Sequence, residues 1–510
     1  MSLRTIAAAG LTLSLLVTTP AYAETTDLFL GVGSDETSAN LNWYMPSKQQ
    51  QKVQVKDAAG KVTTVDPSEV TLTSTNAEYA AKATLTGLAP GYSYRVGSDE
   101  DGWTTWYDLT VRPQTDSWNF LFYGDPQIGA GNLATDAEGW KKTLATSTAA
   151  HPDTAFLVTA GDQVNYALAQ DQYEAFFAPD QLRTYRLAVQ SGNHDNDIVA
   201  FARHFNLPNA SGYNYYYEYN NALIVALDSN SIDYNGLANF LRTAVAKAGG
   251  GKDWIIVTFH HPPYAHSWHA FEAKPKELAQ NLGPVLSDLG VDLVLNGHEH
   301  MHTRSHLMSG TTARPTDSTN LTPRGNEVLY YTANSSSGSK FYDFASSGAA
   351  RHPGMTFEQS VAEGLVRPEV AYWNQDGTPD YTNVEVTPTK LTLTTYNVDD
   401  GSVVDTVTLN KTVLPPLPEN PGSMTELPED PAPTPPADHE TKVETETVVK
   451  TETKVETENE TVIKTETITP DAEQTPLQLA AIITPIISIL AILGSVAWTQ
   501  RDQIIHLLGL

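Results

Sequence analysis

The stretch Arg186-Leu187-Ala188-Val189-Gln190-Ser191-Gly192-Asn193-His194-Asp195 passes from apolar residues through a glycine into an amide, an imidazole and a carboxylate in direct succession. This order predicts a buried strand whose carboxyl end presents polar groups, the position at which α/β folds assemble their sites. A plain polar turn would use the same residues, so the reading depends on partners elsewhere in the chain.

Partners lie on both sides. Upstream, Trp118-Asn119-Phe120-Leu121-Phe122-Tyr123 runs into Gly124-Asp125, and Thr154-Ala155-Phe156-Leu157-Val158-Thr159 is followed by Gly161-Asp162. Downstream, Asp253-Trp254-Ile255-Ile256-Val257-Thr258-Phe259 ends in His260-His261, and Val291-Asp292-Leu293-Val294-Leu295 leads to Gly297-His298-Glu299-His300. Helix-like segments over residues 134–149 and 171–177 separate the first three strands. Strands alternating with helices imply βαβ units, and a sheet whose carboxyl edge collects metal-capable side chains.

Composition narrows the chemistry. The 510 residues are 40% hydrophobic and carry a formal net charge of -29 with a pI near 4.7. Binding to a phosphate backbone depends on Lys and Arg, here outnumbered by acids, so no nucleic-acid partner is expected. There is no cysteine, which excludes disulfides, thiolate metal sites and Cys nucleophiles and leaves His, Asp, Glu, Asn and Gln as ligands.

Residues 1–23 follow the export pattern, with Arg4, an apolar run and Ala21-Tyr22-Ala23 as a cleavage site. Residues 24–115 read as short alternating strands of an all-β sandwich in which Trp43, Tyr92 and Tyr94 face the core. The run Leu85-Thr86-Gly87-Leu88-Ala89-Pro90-Gly91-Tyr92-Ser93-Tyr94 resembles the late strands of fibronectin type III-like modules. The Tyr-rich run 213–219 alternates as strand core, and residues 380–411 alternate about Asp399-Asp400-Gly401, a hairpin expected to close the second sheet. Residues 412–476 combine a Pro-rich spacer with a Thr/Glu/Lys repeat, read as a disordered, solvated stalk. The apolar run 479–498 within residues 477–510 has spanning length and reads as a C-terminal transmembrane anchor. The expected location is the cell surface, outside the cytoplasm.

Taken in order, Gly124-Asp125, Gly161-Asp162, Gly192-Asn193-His194-Asp195, Val257-x-x-His260 and Gly297-His298-x-His300 resemble the blocks of the calcineurin-like metallophosphoesterases. Within them, the resemblance is to purple acid phosphatases with a fibronectin type III-like N-terminal domain. It implies a four-layer α/β (α+β) sandwich over residues 116–411 and a metal-dependent phosphoric ester hydrolase acting on a small phosphate ester. Asp125 and His300 would bind a first metal ion, Asn193, His260 and His298 a second, and Asp162 would bridge them. Two ions about 3.5–4 Å apart supply hydroxide for attack on phosphorus and stabilise charge on the phosphoryl oxygens. His194 is the candidate general acid, with Asp195 orienting its imidazole.

The purple pattern places a Tyr three residues after the bridging Asp, where this chain has Asn165, with Tyr166 next to it. Gln127 occupies the position of a superfamily His, and either it or Tyr166 would complete the first site. Without that phenolate the preference for Fe(III) falls, and divalent Mn, Fe or Zn fits the Asp, His and amide set. His269, or alternatively His266, corresponds to the family's outer catalytic His, while His261 and Arg304 are candidates for substrate binding. A phosphodiesterase or nucleotidase of the same superfamily, and a surface binding protein with a residual metal site, are the alternatives.

Overall fold

The computed structural model of the chain describes residues 25–45, 51–73, 79–411, 448–453 and 463–468. Residues 1–416 and 417–510 form separate units. In the second, Val448–Thr453 pairs antiparallel with Ile463–Ile468, within the repeat expected from sequence to be a disordered stalk. The export segment, residues 1–23, and the apolar run 479–498 lie outside the described residues. Among the described residues no helix is long and apolar enough to cross a membrane.

In the first unit, the early strands form a two-sheet sandwich. Thr26–Val32, Ala39–Met45, Tyr79–Leu85 and Glu69–Leu72 make one sheet, while Lys52–Lys56, Val62–Val65, Ser93–Ser98 and Gly102–Trp103 belong to the other. Trp43 and Tyr94 are buried between them with Leu41, Val53, Leu85 and Val96, and Tyr92 packs at the edge.

The sandwich is continuous with the α/β layers downstream of it. Thr26–Val32 pairs in parallel with Leu187–Val189, so one eleven-stranded sheet runs through both regions. Its later half contains Trp118–Tyr123, Leu157–Thr159 and Leu187–Val189 as parallel neighbours. A second, seven-stranded sheet holds Ala222–Ala226, Trp254–Thr258, Leu293–Asn296 and Leu329–Thr332, again parallel.

Strand residues of alternate parity face opposite ways, and this builds the layers. Phe120, Phe122, Phe156 and Val158 meet Tyr217, Tyr219, Ile224 and Ile256 between the two sheets. On the far side of the first sheet, Leu121, Leu157 and Val189 pack on Trp140 and Leu144 of the helix Leu133–Ala150 and Phe176 of Gln170–Phe177. Beyond the second sheet, Leu223, Val225, Val257 and Val294 meet Leu237 and Leu241 of the helix Tyr234–Ala248. The order is helix, sheet, sheet, helix, as the family resemblance implies. Each large buried apolar side chain contributes about 1.5–3 kcal/mol, so the core aromatics are a main source of cohesion.

The final hairpin departs from expectation in its placement. Asp380–Val386, Lys390–Asn397 and Val403–Asn410 form the expected antiparallel run, but Asp380–Val386 pairs with Trp118–Tyr123 and so extends the first sheet. The alternation specifies a one-face-buried strand without specifying which sheet receives it.

Candidate active site

All five polar blocks lie at the carboxyl ends of parallel strands, three from the first sheet and two from the second. Because the sheets pack face to face, their carboxyl edges bring the blocks together. Glycine makes the approach possible. A Cβ at Gly192 would fall on the Asp162 carboxylate, and one at Gly297 on that of Asp125.

The backbone is strained here. Gln127 (φ 35°), Asp162 (φ 48°), His298 (φ 72°) and His300 (φ 43°) occupy the left-handed region, half of the eight non-glycine residues that do so among those described. Such conformations cost of order 1–3 kcal/mol each and persist where surroundings over-determine them. Here hydrogen bonds do so: the Gln127 amide donates to the Asp162 carbonyl at 2.7 Å, and the His298 amide donates to the Asp125 carboxylate at 2.9 Å.

Four side chains converge on one point. His260 Nε2 lies 3.0 Å from Asn193 Oδ1, 3.2 Å from His298 Nδ1 and 3.4 Å from Asp162 Oδ2. Its other nitrogen donates to the Ala160 carbonyl at 2.9 Å, fixing the ring so that Nε2 faces the cluster. One N–H cannot satisfy three acceptors, whereas a cation among these four atoms would engage all of them. Beside this set, His300 Nε2 is 3.3 Å from Asp125 Oδ2, and its Nδ1 donates to the Lys340 carbonyl at 2.9 Å, leaving Nε2 free as a ligand. Gln127 is fully buried, donates its amide to Asn165 Oδ1 at 3.0 Å, and leaves Oε1 without a hydrogen-bond partner. A buried carbonyl oxygen without a donor is the kind of group a metal ion satisfies. The donor set, in which Asp125, Asp162 and His260 and also His260, His261 and His298 lie close enough together to hold an ion, therefore fits metal binding.

Electrostatics agree. Burial works against protonation of His260, yet Asp162 and Asp125 raise it to about 10. Burial also opposes ionisation of Asp162, but His260 and His194 hold its carboxyl below the usual range. Burial, reinforced by neighbouring imidazoles, keeps His261 and His298 well below the usual range and neutral. The carboxylates thus demand positive charge, while two imidazoles are already in the ligand form.

The structure separates the remaining predicted residues. His194 is half-buried, its amide donates to Asp162 Oδ1 at 2.9 Å, and its Nδ1 bonds the Asn165 carbonyl at 3.0 Å. Asp195 does not orient it. The Asp195 carboxylate instead accepts from the amides of Gly192 at 2.6 Å and Gln163 at 2.9 Å, clamping the two metal-ligand turns together. The turn after Asn193 points Asp195 inward, so its partners are backbone.

His269 reaches the site, its ring centroid 4.4 Å from that of His298 and its Nδ1 3.0 Å from Glu272. His266 does not take that place. Its Nδ1 bonds the Ala345 carbonyl and its Nε2 accepts from the Arg367 amide, a structural pairing at both nitrogens. His261 stands 4.4 Å from His298, centroid to centroid, with Nδ1 on the Ser229 hydroxyl at 2.8 Å. Tyr166 is 65% exposed, so Gln127 is the better candidate to complete the first site.

Arg304 is unavailable to substrate. It is buried and forms a two-point ion pair with Asp405, at 2.7 and 3.3 Å. His302 shares the same carboxylate at 3.2 Å.

Three further contributions escape the sequence reading. Ser335 and Ser336 donate to the carbonyls of Asp125 and Gly124 at 3.2 and 2.5 Å, and Ser337 donates to that of Pro126, so the Ser-rich loop braces the first ligand turn. Lys340 supplies the carbonyl that fixes His300. Tyr342 packs its ring 5.1 Å from that of His300. The serine cluster Ser335-Ser336-Ser337 is the one local signal of this region.

Two regions of the chain match known protein families. Residues 119–302 match the calcineurin-like phosphoesterase family, and residues 26–111 match the purple acid phosphatase N-terminal domain. Purple acid phosphatase 18 of Arabidopsis thaliana is 26% identical over 150 residues, covering 26% of this chain and 34% of that protein. The match thus spans about a third of the curated relative's length. The purple acid phosphatase PPD1 of yellow lupin (Lupinus luteus) seeds superposes with a TM-score of 0.62 at 14% identity, over 76% of this chain and 75% of that one. The chain thus contains a calcineurin-like phosphoesterase domain over residues 119–302, preceded by a purple acid phosphatase N-terminal domain over residues 26–111.

Proposed function

We propose that this protein hydrolyses small phosphate esters in the manner of an acid phosphatase, with two metal ions at the Asp125–His300 and His260–His298 sets. The observation that carries this reading is the convergence of Asn193, His298 and Asp162 on His260 Nε2. When bound, two ions polarise phosphoryl oxygens and lower the pKa of water, so that in-line displacement proceeds near neutral pH. Divalent Mn, Fe or Zn suits the carboxylate, imidazole and amide donors.

The chain's own groups do the rest. Asp162 holds both halves of the site and fixes the His194 backbone through its Oδ1. The Asn165 carbonyl can only accept, so His194 Nδ1 carries a hydrogen and Nε2 is the position from which a proton passes to the leaving oxygen. His269, tied to Glu272, and His261, tied to Ser229, hold polar edges beside His298 for the phosphoryl oxygens. A location outside the cytoplasm with a C-terminal anchor is part of the proposal, and rests on the sequences of residues 1–23 and 479–498.

Purified protein supplied with Mn, Fe or Zn should hydrolyse p-nitrophenyl phosphate. Asp162→Ala should lose bound metal and activity together, whereas His194→Ala should keep its metal and lose about a hundredfold or more in kcat. Absence of turnover on mono- and diesters with every metal would reject the hydrolase reading, and a fully active His194→Ala would remove it as the acid.

A further inference from the structure

The cation expected to meet substrate, Arg304, is consumed by Asp405. Another belongs to the residue that fixes His300. Lys340 is half-buried, its carbonyl holds His300, and its ammonium lies 4.8 Å from the Tyr342 ring centroid with no carboxylate partner among the described residues. Tyr342 in turn places its hydroxyl 3.4 Å from His269 Nε2 and its ring beside His300. The His269 ring that meets this hydroxyl lies against His298, its centroid 4.4 Å away. One short segment therefore carries an ammonium stacked on a phenol ring, and a hydroxyl that meets His269, next to the candidate ligand His300.

We propose that Lys340 and Tyr342 bind the nonbridging oxygens of a phosphomonoester dianion and make monoesters the preferred substrates. The inference rests on the phosphoester hydrolase reading above. A phosphate monoester gains its second negative charge with a pKa of about 6, whereas a diester carries one charge and a second organic group in that place. An ammonium with a hydroxyl donor beside the metal ligands complements the former, because charge-assisted hydrogen bonds are about twice as strong as neutral ones.

The test uses the full chain loaded with metal, and compares Lys340→Met, Lys340→Arg and Tyr342→Phe. Inorganic phosphate binding is measured by calorimetry, and kcat/KM on p-nitrophenyl phosphate and bis(p-nitrophenyl) phosphate. Lys340→Met should weaken phosphate binding and monoester kcat/KM about tenfold, through KM, with a distinctly smaller loss on the diester. Lys340→Arg should restore phosphate affinity to within about threefold, since it keeps the charge. Tyr342→Phe, which removes only the hydroxyl, should show the same preference for loss on the monoester. Unchanged phosphate affinity in Lys340→Met, or equal losses on both esters, would overturn the proposal. Wild-type protein that binds phosphate through Lys340 yet turns over neither ester would instead overturn the hydrolase reading alone.

Discussion

His260 links the charge of the site to its metal chemistry. Buried beside Asp162 and Asp125, it is held protonated up to about pH 10, well above the ordinary histidine value. A metal ion binds only the neutral ring, so proton and metal compete for Nε2. Between the ordinary histidine range and pH 10 the metal-free protein carries a proton that loading must expel, so apparent affinity rises with pH through this window. Titration with Zn at pH 8, in buffers of different ionisation enthalpy, should show about one proton released from this ring, and His260→Gln should abolish that release. Loading without proton release would contradict the assignment of His260 Nε2 as a ligand atom.

At the scale of elements, Arg304 on the strand His302–Ser305 belongs to the second sheet, and Asp405 on Val403–Asn410 to the first. Their ion pair therefore ties the two sheets. Burial raises the Asp405 carboxyl, but His302 and Arg304 outweigh it and bring it to about 2. Removing one partner of a buried pair strands the other charge, at a cost of about 3–5 kcal/mol. Arg304→Gln should accordingly lower the thermal midpoint by several degrees and leave KM for monoester close to wild type. A raised KM with unchanged stability would return Arg304 to the substrate. This residue also marks the limit of sequence reading. The strand ends were legible because apolar run, glycine and polar ligand are adjacent in the chain, and packing is then set by strand parity. The partners of Arg304, Asp195 and His300 were not, because each is chosen by contacts across the fold: Asp405 lies 101 residues from Arg304. The bracing serines and Lys340 sit in a loop without periodicity, whose role exists only once the Asp125 turn is placed against it.

Across the whole molecule, the N-terminal region is not a detachable appendage. Thr26–Val32 is an interior strand, flanked by Ala39–Met45 on one side and Leu187–Val189 on the other. Leu187–Val189 is the strand that delivers Asn193 and His194. Phe29 leaves the sandwich to pack its ring 5.1 Å from Phe205 and 6.4 Å from Phe177 in the catalytic core. Arg186 donates to the carbonyls of Glu36 and Ser38 at 2.8 and 2.9 Å, and Tyr94 donates to that of Arg183 at 3.0 Å. Cutting the chain at residue 116 would expose the edge of Leu187–Val189, bare the Phe177 and Phe205 rings, and remove the carbonyls of Glu36 and Ser38 that accept from the Arg186 guanidinium. An open strand edge beside bared apolar rings favours aggregation and loosens the strand that holds the ligands. Residues 25–411 should therefore unfold as one cooperative unit in calorimetry, whereas residues 116–411 should aggregate on size exclusion or unfold at least about ten degrees lower, with metal lost from the His260 set. A soluble fragment 116–411 with wild-type metal content and thermal midpoint would show that the shared sheet adds nothing to the site.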